Sequence, residues 1–518
     1  MSLWEFILSH WDEMLDQTTQ HLKLTLISIF LASVVGILIG ILITRIEKLT
    51  SITLGFIGVI QTIPSLALLG FLLPVVGIGT TPAIIALFLY ALLPIVRNTY
   101  TGIKGIDPSI KEATIGMGMT NAQLLRYVEL PLAFPVILAG IRTSAVINVG
   151  VATLCALIAA GGLGEFIFRG ISLNNTNMIL AGAIPASILA IVIDGVLGVV
   201  QKFHGQKRSW IVIATIVGVF LIGLQLKPST LKTRLVAGFN SEFIERSDGY
   251  TGLDSLYDLP MEIKEMEIAL MYRALYEEEV DVIDGFSTDG RIKEFNLKSL
   301  EDDKGYFPPY YAVPLVNGAT LEKHPEIRAC FQILSNQLSD SLMSALNYEV
   351  DGMKRPLDEV ANEFLKSINI YANKNAGSSS NPDITIGSKA FTENFLLAYI
   401  FAQIIENKTN LKTKLKLGFG GTKLVFDALR FQEVDIYPEY TGTAYLVLLN
   451  KSASEIENFN DPQMVLGSIS AELKDKYNLE VLNPLGFNNT FALMMRQAHA
   501  DSLQIATISQ LSDYLRKE

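Results

Sequence analysis

The chain has 518 residues, 50% of them hydrophobic and 18% charged, with a formal net charge of −11. The charge is unevenly spread: the first 208 residues carry 12 Lys and Arg against 10 Asp and Glu, whereas the whole chain carries 41 against 52. An apolar, nearly neutral half therefore precedes an acidic half, and nucleic acid is excluded as a partner of that acidic half. Two cysteines, Cys155 and Cys330, exclude a disulfide framework and a cysteine-based zinc site; the five histidines are scattered, so no metal or cofactor site is visible.

A membrane-spanning helix needs roughly 20 mostly apolar residues. Six runs qualify: residues 24–43, 53–75, 80–97, 132–158, 180–200 and 210–226. Glu5, Asp12, Glu13 and Asp16 stand where a cleaved signal peptide would be basic, so the first span reads as an uncleaved anchor. Arg45 and Lys48 follow span one, Arg97, Lys104, Lys111 and Arg126 follow span three, and Lys202, Lys207 and Arg208 follow span five. Basic loops mark the cytoplasmic side. Residues 98–131 are then inside, and everything after span six is outside. GGLGEFIFRG (161–170) is too polar for a lipid-facing helix, and reads either as a bend at the outer mouth of a pathway or as a plain outer loop. Asp194, within span five, faces either the bundle interior or interfacial water.

The cytoplasmic island 112–131 reads EATIGMGMTNAQLLRYVELP. Asp107-Pro108 signals a capped helix start, Asn121 a second start, and Pro131 a stop. Glu112, Ala113, Gly118, Leu130 and Pro131 match the spacing EAA-x3-G-x9-I-x-LP, with Thr114 for the third Ala and Val128 for Ile as departures. This resembles the signature loop of bacterial ABC importer permeases. The resemblance implies two short helices joined near Gly118 that dock on an ATPase subunit. GFGGTK (418–423) has the wrong spacing for a Walker motif, so a separate cytoplasmic ATPase is expected.

Residues 384–394, ITIGSKAFTEN, resemble the mature opening of the glycine betaine, choline and carnitine binders, followed by DALRFQEVDIYPEYTGTAY (427–445) and GFNNTFALMM (486–495). Motifs similar to that family's second half come earlier: GFNSEFIERSDG (238–249), ALYEEEVDVIDGFSTDGRI (274–292), LEDDKGYFPPYYAVP (300–314), LNYEVDG (346–352) and VANEFL (360–365). The reversed order implies a circular permutation, with the polar segment 369–383 joining the old termini. The alternative is two half-domains that pair with another subunit. The expected organisation is an all-α transmembrane permease bundle (1–208), a sixth helix and linker (209–231), the second half of the binding domain (232–368), the linker (369–383) and the first half (384–518). Apolar β-rich runs alternating with helical stretches predict α/β lobes, and the resemblance implies a two-lobed domain like the type II periplasmic binding proteins.

Tyr437, Tyr440 and Tyr445 crowd one turn, and Tyr306, Phe307, Tyr310 and Tyr311 another. A quaternary ammonium has no N–H to donate and is best held by π faces; ordinary core packing is the competing reading for any single ring. The resemblance implies cage or contact residues at Tyr440, Thr443, Phe491 and Tyr310 or Tyr311. It implies polar contacts at Lys389, Arg246, Asn488, Asn489 and Thr288, with Arg246 or Lys389 suited to a ligand carboxylate. Glycine betaine, choline, carnitine and ergothioneine all carry a trimethylammonium group. Phe491 stands where the family often has Tyr. No nucleophile–base pair stands out, so catalysis is not expected. An importer subunit in a bacterial cell membrane, homodimeric and working with two ATPase subunits, competes with a ligand-gated sensor built on the same outer domain.

Overall fold

The computed structural model describes residues 3–173, 175–202, 235–246, 248–371, 382–452, 455–456 and 458–517. They fall into two compact units, residues 3–171 with 175–202, and residues 235–517. The sixth expected span (210–226), Lys207, Arg208, Glu518 and most of segment 369–383 lie outside the described residues.

The first unit is helical: α1 (Leu3–Ser9), α2 (Trp11–Arg45), α3 (Glu47–Thr62), α4 (Ser65–Val76), α5 (Thr80–Lys104), α6 (Pro108–Gly116), α7 (Asn121–Leu124), α8 (Leu130–Ala152), α9 (Gly164–Ser172) and α10 (Thr176–Lys202). Among the described residues four helical stretches, Trp11–Arg45, Thr80–Lys104, Asn121–Ile158 and Thr176–Lys202, are long and apolar enough to cross a membrane. The helix carrying the first expected span is thus longer than its apolar run. A Cβ at Gly36 would fall 2.9 Å from the Ile95 side chain and one at Gly40 2.5 Å from that of Thr99. These two glycines, one turn apart, let α2 and α5 approach closely, which drives helix association where apolar burial gives no net gain.

The second expected span, 53–75, is not one helix. It breaks into α3 and α4, bent by 95°. Pro64 causes this, because proline pushes its predecessor out of the helical region; Ile63 is extended (φ −65°, ψ 127°). The carbonyl of Ile63 accepts a hydrogen bond from the Tyr90 hydroxyl, so the break leaves no orphan acceptor there.

GGLGEFIFRG is neither a free loop nor a long helix. Ala159, Gly161 and Gly162 turn the backbone at positive φ, and α9 follows with Gly164, Glu165, Phe166 and Arg169 buried. Side chains of α2 hold this turn. Gln20 donates to the Ala160 carbonyl (3.0 Å), Gln17 donates to Glu165, and Glu13 pairs with Arg169 (2.9 Å). Asp194 is also partnered, by Arg142 of α8, which donates through Nε (2.9 Å) and a terminal nitrogen (2.8 Å). Arg142 lies inside the fourth expected span, and sequence reading passed over it.

The second unit has two five-stranded sheets. The strands are β1 (Val236–Phe239), β2 (Glu262–Glu265), β3 (Val282–Phe286), β4 (Leu297–Ser299), β5 (Ala312–Asn317), β6 (Ile384–Gly387), β7 (Thr413–Lys416), β8 (Ile436–Tyr440), β9 (Leu479–Val481) and β10 (Phe491–Arg496). The sheet orders are β2-β1-β3-β10-β4 and β7-β6-β8-β5-β9. Each sheet has a parallel core that takes in one strand running antiparallel: β10 beside β3, and β5 beside β8. Those two strands arrive from the opposite lobe. Residues 300–311 lead from β4 to β5, and residues 482–490 lead from β9 to β10. The crossovers pair with each other, through Asn489 N–H to the Tyr310 carbonyl (3.1 Å) and Ala312 N–H to the Phe487 carbonyl (3.3 Å). Such paired crossovers are where two lobes hinge.

Strands from 236–299 and from 491–496 thus share one sheet, and strands from 312–317 and 384–481 share the other. The last helix, Ile508–Lys517, docks on the helix Tyr250–Tyr257, where the Ser512 hydroxyl donates to the Asp258 carbonyl (3.0 Å). Cys330 is buried in the core of this unit, as a small apolar side chain would be.

Candidate functional site

Two sites stand out, one in each unit. In the second unit a cleft forms where the lobes meet. Lys389 sits in the loop between β6 and the helix Thr392–Lys408. Asn394 fixes that loop: its side-chain oxygen accepts the Lys389 N–H (2.7 Å), and its amide donates to the Pro438 carbonyl (3.0 Å). The Lys389 ammonium donates to Glu439 and lies 5.2 Å from the Tyr440 ring centroid. Glu439 also accepts from the Tyr437 hydroxyl and the Tyr440 N–H, both at 2.8 Å.

Arg246, from the other lobe, follows the helix Ser241–Glu245. Its guanidinium grips Asp248 in a bidentate pair (Nε to carboxylate 2.8 Å) and reaches the Thr443 hydroxyl across the cleft (3.3 Å). It also lies 5.2 Å from the Phe491 ring centroid, a cation–π distance. The Tyr310 hydroxyl donates to Asp248. Both candidate cations therefore already hold a carboxylate of their own chain. A ligand carboxylate would have to share them.

The rings make one wall across the two lobes. Phe491 is 5.0 Å from Phe286 and 5.6 Å, at right angles, from Tyr310. Phe286 is 5.4 Å from Phe391 of the other lobe, and Phe391 is 6.2 Å from Tyr440. Of the expected residues, the structure brings Lys389, Tyr440, Thr443, Phe491, Arg246 and Tyr310 to this wall. Thr288 and Asn489 lie beside it, bonded to Glu393.

Two further expected residues, Asn488 and Tyr311, lie in the crossovers. The Asn488 side chain accepts the Tyr310 N–H (2.6 Å), and the Tyr311 N–H donates to the Thr441 hydroxyl (3.0 Å). Asn488 and Tyr311 bridge each other in the crossovers, so they brace the hinge. Tyr437 and Tyr445 belong to the core of the lobe built on β8, which is the packing reading. Sequence reading missed Phe286, Phe391, Glu393, Asp248 and Glu439 as members. Phe391 and Glu393 lie within SKAFTEN and Phe286 within DVIDGFSTDG, so the signal was in the quoted motifs. Which ring faces the cleft, however, depends on tertiary placement.

The second site is the polar island of the first unit. The Asp107 side chain caps α6 by accepting the Ser109 N–H (2.9 Å), with Pro108 in the first turn. Gly118 has φ 84°, a conformation a Cβ resists, and it separates α6 from α7. α7 starts at Asn121, as the sequence suggests, and Thr120 caps it in a reciprocal capping box with Gln123. Pro131 does not stop the helix. Leu125–Glu129 form a π turn, and the chain runs on into α8 with Pro131 in its first turn. The wider turn accommodates the missing N–H. Glu129 is fully buried and bound by Arg45, with the Lys111 ammonium at 3.5 Å. Glu112, Ala113 and Pro131 are exposed and Leu130 half-buried. Ile115, Met117 and Tyr127 are 57%, 70% and 62% exposed, so the island presents bare apolar surface.

A profile for the substrate binding domain of ABC-type glycine betaine transport systems matches residues 225–367 and 382–517. A second, for the inner membrane component of binding-protein-dependent transport systems, matches 32–210. The chain belongs to the ABC-type glycine betaine transport family, as a permease fused to its substrate-binding domain. Among its relatives, the glycine betaine/carnitine/choline permease OpuCB of Bacillus subtilis (strain 168) is 46% identical over 197 residues, 38% of this chain and 91% of that protein. The carnitine permease OpuCB of Listeria monocytogenes is 51% identical over 185 residues, 36% of this chain and 85% of that protein. The ergothioneine permease/binding protein EgtU of Helicobacter pylori (strain G27) is 27% identical over 485 residues, 66% of this chain and 88% of that protein. This family member is a transport subunit of the bacterial inner membrane, not an enzyme, with its binding domain on the outer side.

Proposed function

We propose that this chain is the permease and binding subunit of an ATP-driven importer for a trimethylammonium compound such as glycine betaine, choline, carnitine or ergothioneine. The observation that carries the reading is the wall of rings from Tyr440 to Phe491 across the hinge, with Lys389 and Arg246 beside it. Lys389, Tyr440, Thr443, Arg246, Phe491 and Tyr310 hold the ligand, and Thr288 and Asn489 support the wall. Relatives with names in this ligand class support it, including one that joins permease and binding functions.

The island around Gly118, with Glu112, Ala113, Leu130 and Pro131, is the dock for a separate cytoplasmic ATPase. Its exposed apolar side chains and rigid helix–glycine–helix form favour an importer over a sensor, which needs no such dock. The working assembly is a homodimer in the lipid bilayer with two ATPase subunits, since one permease chain lines half a pathway. Residues 232–368 and 384–518 are the two halves of one permuted binding domain, joined by 369–383.

Isothermal titration of the purified full chain in detergent against the four compounds tests the ligand class. Micromolar or tighter binding of one of them, abolished when Tyr440 and Phe491 are both replaced by Ala, is expected. Absence of binding to all four would refute the reading.

A further inference from the structure

Glu393 is buried at the junction of both lobes and the hinge. Its two oxygens receive four donors. Oε1 accepts from the Tyr440 hydroxyl (2.7 Å) and the Asn489 amide (2.8 Å). Oε2 accepts from the Thr288 hydroxyl and the Asn347 amide (2.9 Å). Thr288 belongs to the lobe of β3, Asn489 to a crossover, and Tyr440 to the lobe of β8. One carboxylate thus ties a ring of the cleft to both lobes. Among the described residues no lysine or arginine pairs with it: Lys389 is engaged by Glu439.

The Thr288 hydroxyl has one hydrogen and two acceptors in reach, Glu393 Oε2 and Asn489 Oδ1 (2.9 Å). With Glu393 ionised, that hydrogen points to Glu393. With Glu393 protonated, the new O–H can donate to Thr288, which turns its hydrogen to Asn489. Both arrangements use the same heavy-atom positions, so the proton can come and go without the lobes parting. Resting on the cleft being the trimethylammonium site, we propose that Glu393 is its positioning residue: it fixes the Tyr440 ring, joins the lobes through Thr288 and Asn489, and gives up its proton when a cation enters.

The surroundings set the window. Burial pushes the Glu393 carboxyl up to about 7, against the pull of the bonds from Thr288, Tyr440 and Asn347, and Asp289 adds to the rise. The other charged groups nearby have partners: Asp289 pairs with Arg291 (2.7 Å), Lys389 pairs with Glu439, and Asp351, its carboxyl raised by burial, accepts a bond from Thr392 (2.7 Å). Burial and then the adjacent Glu393 hold the Tyr440 hydroxyl well above its usual range, so Tyr440 stays a donor. A permanent cation over the Tyr440 face favours the ionised carboxylate. The empty cleft therefore keeps its proton up to about pH 7, and the loaded cleft loses it at lower pH. Ligand affinity is lowest on the acid side, rises with pH through this window, and levels off above it.

The test is titration of the full chain with glycine betaine, choline, carnitine and ergothioneine from about pH 5.5 to pH 8, where the charge of these compounds is constant. Measurements in two buffers of different protonation enthalpy count the protons exchanged. For the compound that binds, a rise on the order of tenfold in affinity is expected, with proton release near pH 6.5. Glu393→Gln should bind at the wild type's acid-side affinity at every pH and release no proton. Wild-type binding without proton release, or with proton uptake, overturns the inference even if the variant fails to fold. So does an unchanged pH slope in Glu393→Gln. No binding of any of the four compounds overturns the cleft reading instead, and this inference with it.

Discussion

Phe491 packs against Phe243, Phe286 and Tyr310 and lies within cation–π distance of the Arg246 guanidinium. A trimethylammonium group added to this wall gains roughly 0.5–2 kcal/mol per ring. Phe491→Ala should therefore weaken binding about 2- to 30-fold by titration, while Phe491→Tyr, which keeps the π face, stays near wild type. Asp284 of β3 carries a different prediction. It is fully buried and accepts the Asn240 N–H (2.8 Å); burial pushes its carboxyl up to about 8 against the pull of the Asn240 bonds. A carboxyl whose pKa is raised on folding binds its proton more tightly in the native state. The stability it contributes is complete below about pH 4 and is lost as pH rises to about 8. The unfolding temperature should fall as pH rises over this range. Glu393 contributes a slope of the same sign up to about 7, so Asp284→Asn should reduce the slope throughout the range from about 4 to about 8, leaving Glu393's share below about 7 and little slope between 7 and 8. At this scale the residue types of the cleft were legible in the sequence, because motif positions such as Lys389, Tyr440 and Arg246 come with their chemistry. Their partners were not. Glu439 and Asp248 neutralise the cations only because strand ends and loops converge, and Tyr311 and Tyr310, adjacent in sequence, part to hinge and cleft.

Apolar runs and loop charges predicted the helices of the first unit, since length and hydropathy are local properties. Prolines were misread in both directions. Pro64 breaks a run that looked continuous, whereas Pro131 sits inside a helix it was expected to end. What decides is whether the freed carbonyl finds another partner, such as Tyr90 at Ile63, or a wider turn, as at Leu125–Glu129. The island 108–131 acts as one rigid lever only if its joints hold. Gly118→Val places a β-branched residue at φ 84°, and Glu112→Lys reverses an exposed charge on the proposed docking face. Each should lower transport relative to ATP hydrolysis in reconstituted vesicles while ligand titration stays unchanged; full transport by both variants would count against the docking role. Glu129→Ala strands Arg45 and removes the anchor between the island and α2. The loss should fall below the roughly 3–5 kcal/mol of a fully buried pair, because the Arg45 side chain is 42% exposed. Thermal unfolding in detergent would read it.

At the scale of the molecule the motif order is the unusual feature. Residues 236–299 and 491–496 build one sheet, and residues 312–317 and 384–481 build the other. Neither stretch on either side of 372–381 holds a complete lobe, because each lends the other its antiparallel strand. The family profile likewise meets the chain in two pieces, 225–367 and 382–517. The sequence carried this arrangement through motifs alone; no local propensity distinguishes a permuted domain from two separate ones. If the order is a permutation, the junction 369–383 is a tether between anchored ends, with Ile370 buried in the core and Asp383 accepting the Lys412 N–H (3.0 Å). Lengthening a tether costs little, about 0.6 kcal/mol per doubling. Inserting a Gly/Ser stretch of equal length at position 377 should leave ligand affinity within about twofold and the unfolding midpoint nearly unchanged. Cutting the chain there, with the two pieces co-expressed, should still give a purified pair that binds ligand, since the sheets hold them together. Insertion elsewhere, within crossover 482–490, should abolish binding, because that segment sets the lobe geometry through Asn489 and Phe487. If the insertion at 377 proves as damaging as the one in the crossover, the segment is structural and the permuted-domain reading fails. An impermeant thiol reagent supplies the last check: a cysteine at position 377 should react in intact cells whose outer envelope is open, and one at position 116 only after the inner membrane is broken.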